Sequence, residues 1–294
     1  MKEQFIYALG FFDGVHIGHQ ALLKECRRMA AQKSCETAAI TFESHPQSLF
    51  TSAPPALINT LQDRSGLLLG FGMEHIYSFP VTKEVMGKHW RTFLDELVEH
   101  GAVGFVCGQD FRFGSGGEGD AEKLLQYAQE NHMLCRIVED QTLDGVRVSS
   151  THIRKLLEEG RMAEAMRFLG HAHRLTGEVI SGRQLGRTIG VPTANLRLPE
   201  GVVCPKFGVY ACKAIVDAEE YLAVTNIGTR PTVDGDHVTV EAHLLDFAGD
   251  LYGKALSLQF YEFLRPEQKF DSLEALQAEI QKNALQTRKI FEKT

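Results

Sequence analysis

"FIYALGFFDGVHIGHQALLKE", residues 5–25, passes from five consecutive apolar residues through a glycine-flanked turn into a helical pattern. A run this short with no polar alternation reads as a strand buried on both faces. Asp13, His16 and His19 stand in the turn, at the carboxyl end of that strand, where open α/β sheets place their ligands. The alternation continues outward. Further strands are predicted at 37–42 (TAAITF), 75–79 (HIYSF), 104–108 (GFVCG) and 134–139 (LCRIVE), with helical spacing between them, as in Phe93, Leu94, Leu97 and Val98 ahead of Gly101. Repeated βα units imply a parallel sheet with helices on both faces.

The pattern changes in the second half. "SSTHIRKLLEEGRMAEAMRFLGH" (149–171) predicts two short helices, the first capped by Ser149 or Ser150 and the second closed by Gly170. From Leu175 to Arg265 the chain is punctuated by glycine and strand-like (GVYACKAIV, YLAVTNIG, HVTVEAHLL, ALSLQFYEFL), which predicts a small antiparallel barrel. A last helix follows, with Asp271 expected as N-cap, Glu274 at N3, and Leu273, Leu276, Ile280 and Ala284 as its apolar stripe. At 294 residues the chain is long enough for two cores, and the domains are expected at 1–172 and 173–294.

A net charge of -7 argues against a nucleic-acid or anionic membrane surface, and no apolar run is long enough to span a bilayer; a cytoplasmic protein is expected. The six cysteines contain no C-x-x-C pair and read as reduced, mostly buried thiols.

Five patterns carry candidate chemistry. In "HIGH", His16 and His19 lie three apart beside a helix N-terminus, a geometry suited to a triphosphate, with Gly14 and Gly18 allowing close backbone approach and Asp13 a further candidate binding residue. Ser150, Thr151 and Arg154 of "SSTHIR" form an anion site at a helix start, although alone they describe only a capped helix. Gly114, Gly116 and Gly119 satisfy G-x-G-x-x-G, but "QDFRF" separates them from the strand and they fall outside the first βα unit, so a flexible loop is expected rather than a dinucleotide site. In "GEVISGRQLGRTIGVPTANL", Gly182, Arg183, Gly186 and Arg187 could wrap phosphates, while Thr193 and Asn195 offer hard oxygen ligands for magnesium. Glu241 lies on the polar face of an alternating strand; most such glutamates are solvated, but one beside a phosphate site could take a proton from an attacking alcohol.

Together, GFFDGVHIGHQ, TFESHP, GQDFRFG, SSTHIR, GRTIGVPTANL, NIGTRPT and VEAHLLDFAGDLYG stand in the order and spacing of the bacterial bifunctional riboflavin kinase/FAD synthetase family, which the chain resembles over nearly its whole length. The resemblance implies a Rossmann-like nucleotidylyltransferase domain that transfers AMP from ATP to FMN, followed by a six-stranded β-barrel that phosphorylates riboflavin and carries a C-terminal helix. It implies that His16 and His19 polarise ATP phosphates and that Ser150, Thr151 and Arg154 hold the triphosphate. In the barrel, Thr193 and Asn195 would bind Mg2+ and ATP, Glu241 would be the base toward the ribityl hydroxyl, and Arg265 would lie near the flavin. Asp110 and Phe111 would be FMN-side or structural residues. Riboflavin, FMN and ATP are the implied partners, with ATP as co-substrate and Mg2+ as cofactor; oligomeric state is not implied.

Three departures fall in the first domain: Ser44, His152 where the family commonly has arginine, and a glycine loop lacking a basic residue. A directly lost guanidinium contact would cost about 1.5–3 kcal/mol. Two other readings therefore stand beside the bifunctional enzyme: a riboflavin kinase with a weakened or silent first domain, and a non-catalytic flavin- and nucleotide-binding regulator.

Overall fold

The computed structural model describes residues 3–180, 190–232 and 235–292, with side chains outside 230–237. Two compact units form, one from 1–57 and 61–150, the other from 58–60 and 151–294.

In the first unit the apolar runs become β1 (Phe5–Leu9), β2 (Glu36–Phe42), β3 (His75–Phe79), β4 (Ala102–Gly108) and β5 (Leu134–Val138), a sheet of order β3-β2-β1-β4-β5 in which each neighbouring pair is parallel. Because strand side chains alternate, the central strand feeds two cores. Ile6 and Ala8 pack with Leu22, Leu23 and Cys26 of α1 (Ile17–Lys33) and with Leu67 and Leu68 of α2 (Leu61–Gly70). Phe5, Tyr7 and Leu9 pack on the other side with Leu94 and Leu97 of α4 (Trp90–Glu99), which follows the one-turn α3 (Lys83–Met86), and with Leu124 and Tyr127 of α5 (Ala121–Glu130). Strand order reverses direction between β1 and β4, so a crevice opens at their carboxyl ends. A tight hairpin of β6 (Thr142–Leu143) and β7 (Val146–Arg147) turns through Asp144 and Gly145, both at positive φ.

The second unit begins within α6 (Ser150–Glu158) and continues through α7 (Met162–Leu169), whose end at Gly170 is left-handed, as expected. Six strands then close a barrel: β8 (His173–Ile180), β9 (Ala194–Arg197), β10 (Gly208–Val216), β11 (Glu219–Thr232), β12 (Gly235–Leu244) and β13 (Ala255–Arg265), in the order β10-β11-β12-β9-β8-β13. Its pairs are antiparallel, as the alternating sequence required. Helix α7 packs on β8 and β13, and the last helix, α8 (Leu273–Phe291), packs on β10 and β11.

Two local expectations are corrected. Ser272, not Asp271, caps α8, because its backbone is extended and its hydroxyl accepts the Ala275 N–H; Glu274 thus moves to the second helical position. The buried side of α8 centres on Asn283 and Thr287 rather than Leu273, which is exposed. The 114–119 loop, expected to be flexible, folds as a turn. Phe113 and Gly119 form a β-bridge, the Ser115 N–H donates to the Lys88 carbonyl, and a Cβ on Gly114 would stand 2.7 Å from the Trp90 backbone. The cysteines are all free, with burial raising the Cys26, Cys107 and Cys212 thiols to about 12.

Candidate functional sites, one on each unit

The β1–α1 turn is the most tightly specified segment of the first unit. Phe12, Gly14 and Val15 all take positive φ, a conformation that is strained for a β-branched residue such as Val15. The strain is held by the Val15 N–H on the Phe12 carbonyl, the Gln20 amide on the Val15 carbonyl, and the Thr41 hydroxyl on the Phe11 carbonyl at 2.7 Å. The turn delivers His16 as the N-cap of α1. Its Nδ1 accepts the His19 backbone N–H at 3.2 Å, so the neutral ring carries its proton on Nε2. The His19 ring stacks on it at 3.6 Å between centroids and 11° between planes, and Phe12 meets His19 edge-on. Such a close pair disfavours a second positive charge. His19 is held well below the ordinary imidazole range by burial first, then by His16 and Arg64.

Gly18 is what allows the stack: a Cβ there would stand 3.2 Å from Cε1 and Nδ1 of His16. Asp13 is 1% exposed, and its carbonyl accepts the Ser150 hydroxyl at 2.9 Å, bringing the start of "SSTHIR" to the turn. Thr151, exposed, and Arg154, half-buried, follow on α6. His152 turns its ring edge-on to Phe168 of α7, 4.7 Å between centroids, so at this position the helix gains a packing contact.

Beside the turn lies an apolar cavity of about 330 Å³ at the carboxyl ends of β1, β2 and β3, walled by Phe42, Phe79, Phe93, Phe111 and Phe113, with Lys88 and Arg112 among its polar residues. Phe111 and Phe113 stack within it at 17°, presenting flat faces suited to a planar ring system. Asp110 points away from this role: it is exposed and paired with Arg147. Of these wall residues the sequence reading picked out Phe111 alone, because aromatic side chains at strand ends are indistinguishable from core until the topology gathers them.

On the barrel, strand register assembles the second site. Glu241 of β12 pairs with Asn195 of β9 on one side and Asn226 of β11 on the other. Val240 and Ala242 are fully buried in the core, so the three polar residues between buried neighbours form one row on the outer face. Asn195 is 8% exposed and its Oδ1 has no hydrogen-bond partner, while Asn226 donates to Glu267 at 3.2 Å. His243, two residues beyond Glu241 on the same face, donates its Nδ1–H to the Pro192 carbonyl at 2.8 Å and so anchors the "PTAN" segment. Thr193 joins Pro192, Ala194 and residues 247–252 around a cavity of about 320 Å³. Gly182, Arg183, Gly186 and Arg187 lie outside the described residues. Arg265 is engaged by α8: Nε donates to Asn283 at 3.1 Å, Glu279 lies at 3.4 Å, and Phe270 sits under the guanidinium. Asn283, buried, is therefore a packing and hydrogen-bonding residue.

Residues 1–152 match the family model described as FAD synthetase, and residues 169–291 the one described as riboflavin kinase. Proteins named bifunctional riboflavin kinase/FMN adenylyltransferase are similar along the chain. That of Listeria monocytogenes is 36% identical, covering 98% of this chain and 93% of its own, and that of Escherichia coli K12 is 37% identical, covering 99% and 94%. That of Bacillus subtilis is 33% identical over 99% of this chain and 93% of its own. A solved structure described as a macrolide-efflux protein from Streptococcus pneumoniae superposes with a TM-score of 0.87 at 28% identity, covering 98% of this chain and 95% of its own. Among the described residues, no helix is long and apolar enough to cross a membrane. With a parallel α/β unit, a closed six-stranded barrel and full-length similarity at this level, the chain belongs to the bifunctional riboflavin kinase/FMN adenylyltransferase family.

Proposed function

We infer that this chain makes FMN from riboflavin and FAD from FMN, using one ATP at each step. The reading is carried by one observation: each unit gathers its own phosphate chemistry, the stacked His16–His19 pair on one and the Asn195–Glu241 pair on the other. The catalytic domains are assigned to 1–172 and 173–294, because Ser150, Thr151 and Arg154 are given to the first reaction.

In adenylyl transfer, an FMN phosphate oxygen attacks the α-phosphorus of ATP, and the bond to the pyrophosphate oxygen breaks. The nucleophile is already anionic, so no base is required; the work is charge stabilisation. His16 offers Nε2–H at the N-terminus of α1, and His19, buried beside it, stabilises the developing charge on the α-phosphate. Gly14 and Gly18 let the phosphates approach the backbone, and Asp13, Ser150, Thr151 and Arg154 complete the nucleotide site. The flavin ring enters the Phe-lined cavity and lies along Phe111.

In the kinase reaction Glu241 removes the proton from the ribityl 5'-hydroxyl, whose oxygen attacks the γ-phosphorus as ADP leaves. A divalent cation fits here, because the unpartnered, buried Oδ1 of Asn195 and the Thr193 hydroxyl are hard oxygen donors of the kind magnesium takes alongside substrate phosphates. When bound, Mg2+ would neutralise phosphate charge. Arg265, fixed by α8, borders the flavin site, Gly182, Arg183, Gly186 and Arg187 bind the nucleotide phosphates, and Asp110, paired with Arg147, is a structural residue. A cytoplasmic location is part of the same reading. The test is chromatographic: with magnesium ATP, riboflavin should give FMN and then FAD, and FMN should give FAD. FMN without FAD would leave a kinase joined to a silent first domain.

A further inference from the structure

Arg64, in the first turn of α2, is the largest fully buried side chain among the described residues, at 0% exposure, and it belongs to none of the sequence motifs above. Its Nη2 donates to the carbonyl of Phe42 at the end of β2, and its guanidinium carbon stands 4.7 Å from the centre of the Phe11 ring, the residue that opens the β1–α1 turn. The Asp13 carboxylate acts on it as the opposing charge, and it in turn acts on His19. Nε and Nη1 are buried with no hydrogen-bond partner, as is Nδ1 of His19.

A guanidinium in this state is a poor stabiliser. Burial pushes it down to about 10, and although an apolar replacement of a whole buried ion pair is often neutral for stability, removing the guanidinium alone leaves the buried Asp13 carboxylate without its opposing charge. Its contacts do, however, converge on one object. The Phe42 carbonyl belongs to the neighbouring strand and the Phe11 ring opens the strained turn, where Asp13 and, on the first turn of α1, His19 feel its charge. Arg64 thus braces the histidine-bearing turn against β2.

We propose that Arg64 is a positioning residue for adenylyl transfer, fixing the β1–α1 turn through the Phe11 ring and the Phe42 carbonyl so that His16 and His19 meet the α-phosphate as a stacked pair. This rests on the role given to those histidines. A misplacement on the ångström scale is worth about 100-fold in rate, and that is the expected fall in kcat for FAD formation in R64M, with KM for FMN and ATP within about twofold of the parent.

The experiment measures both activities on the full chain, with thermal unfolding and the imidazole C–H resonances of the ligand-free protein. R64M should keep its riboflavin phosphorylation, lose kcat for FAD formation, and shift the His16 and His19 signals; the midpoint, which loss of the Asp13 counter-charge lowers in either case, sets the temperature at which both activities are read on folded protein. A merely structural arginine would lower the midpoint yet leave kcat for FAD formation and the imidazole signals of the folded protein at the parent values. Retained kcat, or a rise in KM with kcat unchanged, would overturn the proposal. Should R64M fail to fold, R64Q is read by the same criteria. The H19A variant separates the two layers: if it makes FAD at the parent rate, the histidine reading fails and takes the positioning role with it. If it is dead while R64M is active, only the role of Arg64 falls.

Discussion

Gly18→Ala separates the chemistry of the histidine turn from its stability. The new Cβ would stand 3.2 Å from Cε1 and Nδ1 of His16, inside ordinary van der Waals contact, so the ring must retreat by a few tenths of an ångström. That movement lengthens the 3.2 Å bond by which Nδ1 caps α1 and tilts the ring off the 3.6 Å stack with His19. Two stability effects then oppose. Weakening a cap costs about 1 kcal/mol, and replacing a helical glycine by alanine returns up to about 1 kcal/mol. The unfolding free energy should therefore change little, while kcat for FAD formation falls about 10- to 100-fold through the displaced imidazoles. The assay is FMN adenylylation followed by chromatography, with riboflavin phosphorylation by the same preparation as internal control. Full FAD formation by a stable G18A protein would refute the argument that the stacked geometry matters.

Glu241→Gln should lower FMN formation by about 1000-fold, the middle of the range for loss of a general base, while FAD formation from supplied FMN continues; equal loss of both would point to misfolding. Phe111→Ala should raise KM for FMN about tenfold in adenylylation by removing one stacked face of the cavity, leaving the kinase untouched. His173, 1% exposed, is pushed down to about 3 by burial, with His171 adding to the shift, whereas the unfolded imidazole titrates near 6.5. The unfolded state therefore takes up the proton first. This contribution to stability is full above about pH 6.5 and declines by about 1.4 kcal/mol per pH unit toward pH 3. The unfolding free energy of the second unit should fall by about 2 kcal/mol between pH 6.5 and 5, and His173→Leu should flatten that slope.

The five parallel strands were legible because strands buried on both faces leave apolar runs, and each observed strand starts or ends within two residues of its predicted bounds. The barrel was legible from alternation, which also put Glu241 on the correct face. What escaped depended on contacts distant in sequence. "QDRSG" reads as a solvated helix start, and only the placement of α2 against the end of β2 buries Arg64. Histidine is not a favoured N-cap, so the cap by His16 could not be inferred from residue preference. Phe42, Phe79, Phe93 and Phe113 come from separate strands, helices and loops, and their convergence on one cavity is a product of strand order.

The position of β13 in the barrel has a consequence for biosynthesis on the ribosome. It joins β8 to β10, so the earliest and the middle strands of the barrel each lack a neighbour until residues 255–265 have been made. The parallel sheet needs nothing beyond β5, and its unit can form during translation while the barrel is still an open ribbon with two bare edges. A nascent chain stalled before residue 255 would expose those edges to pairing with other chains, so aggregation should follow the late, β13-dependent closure rather than the earlier α/β unit.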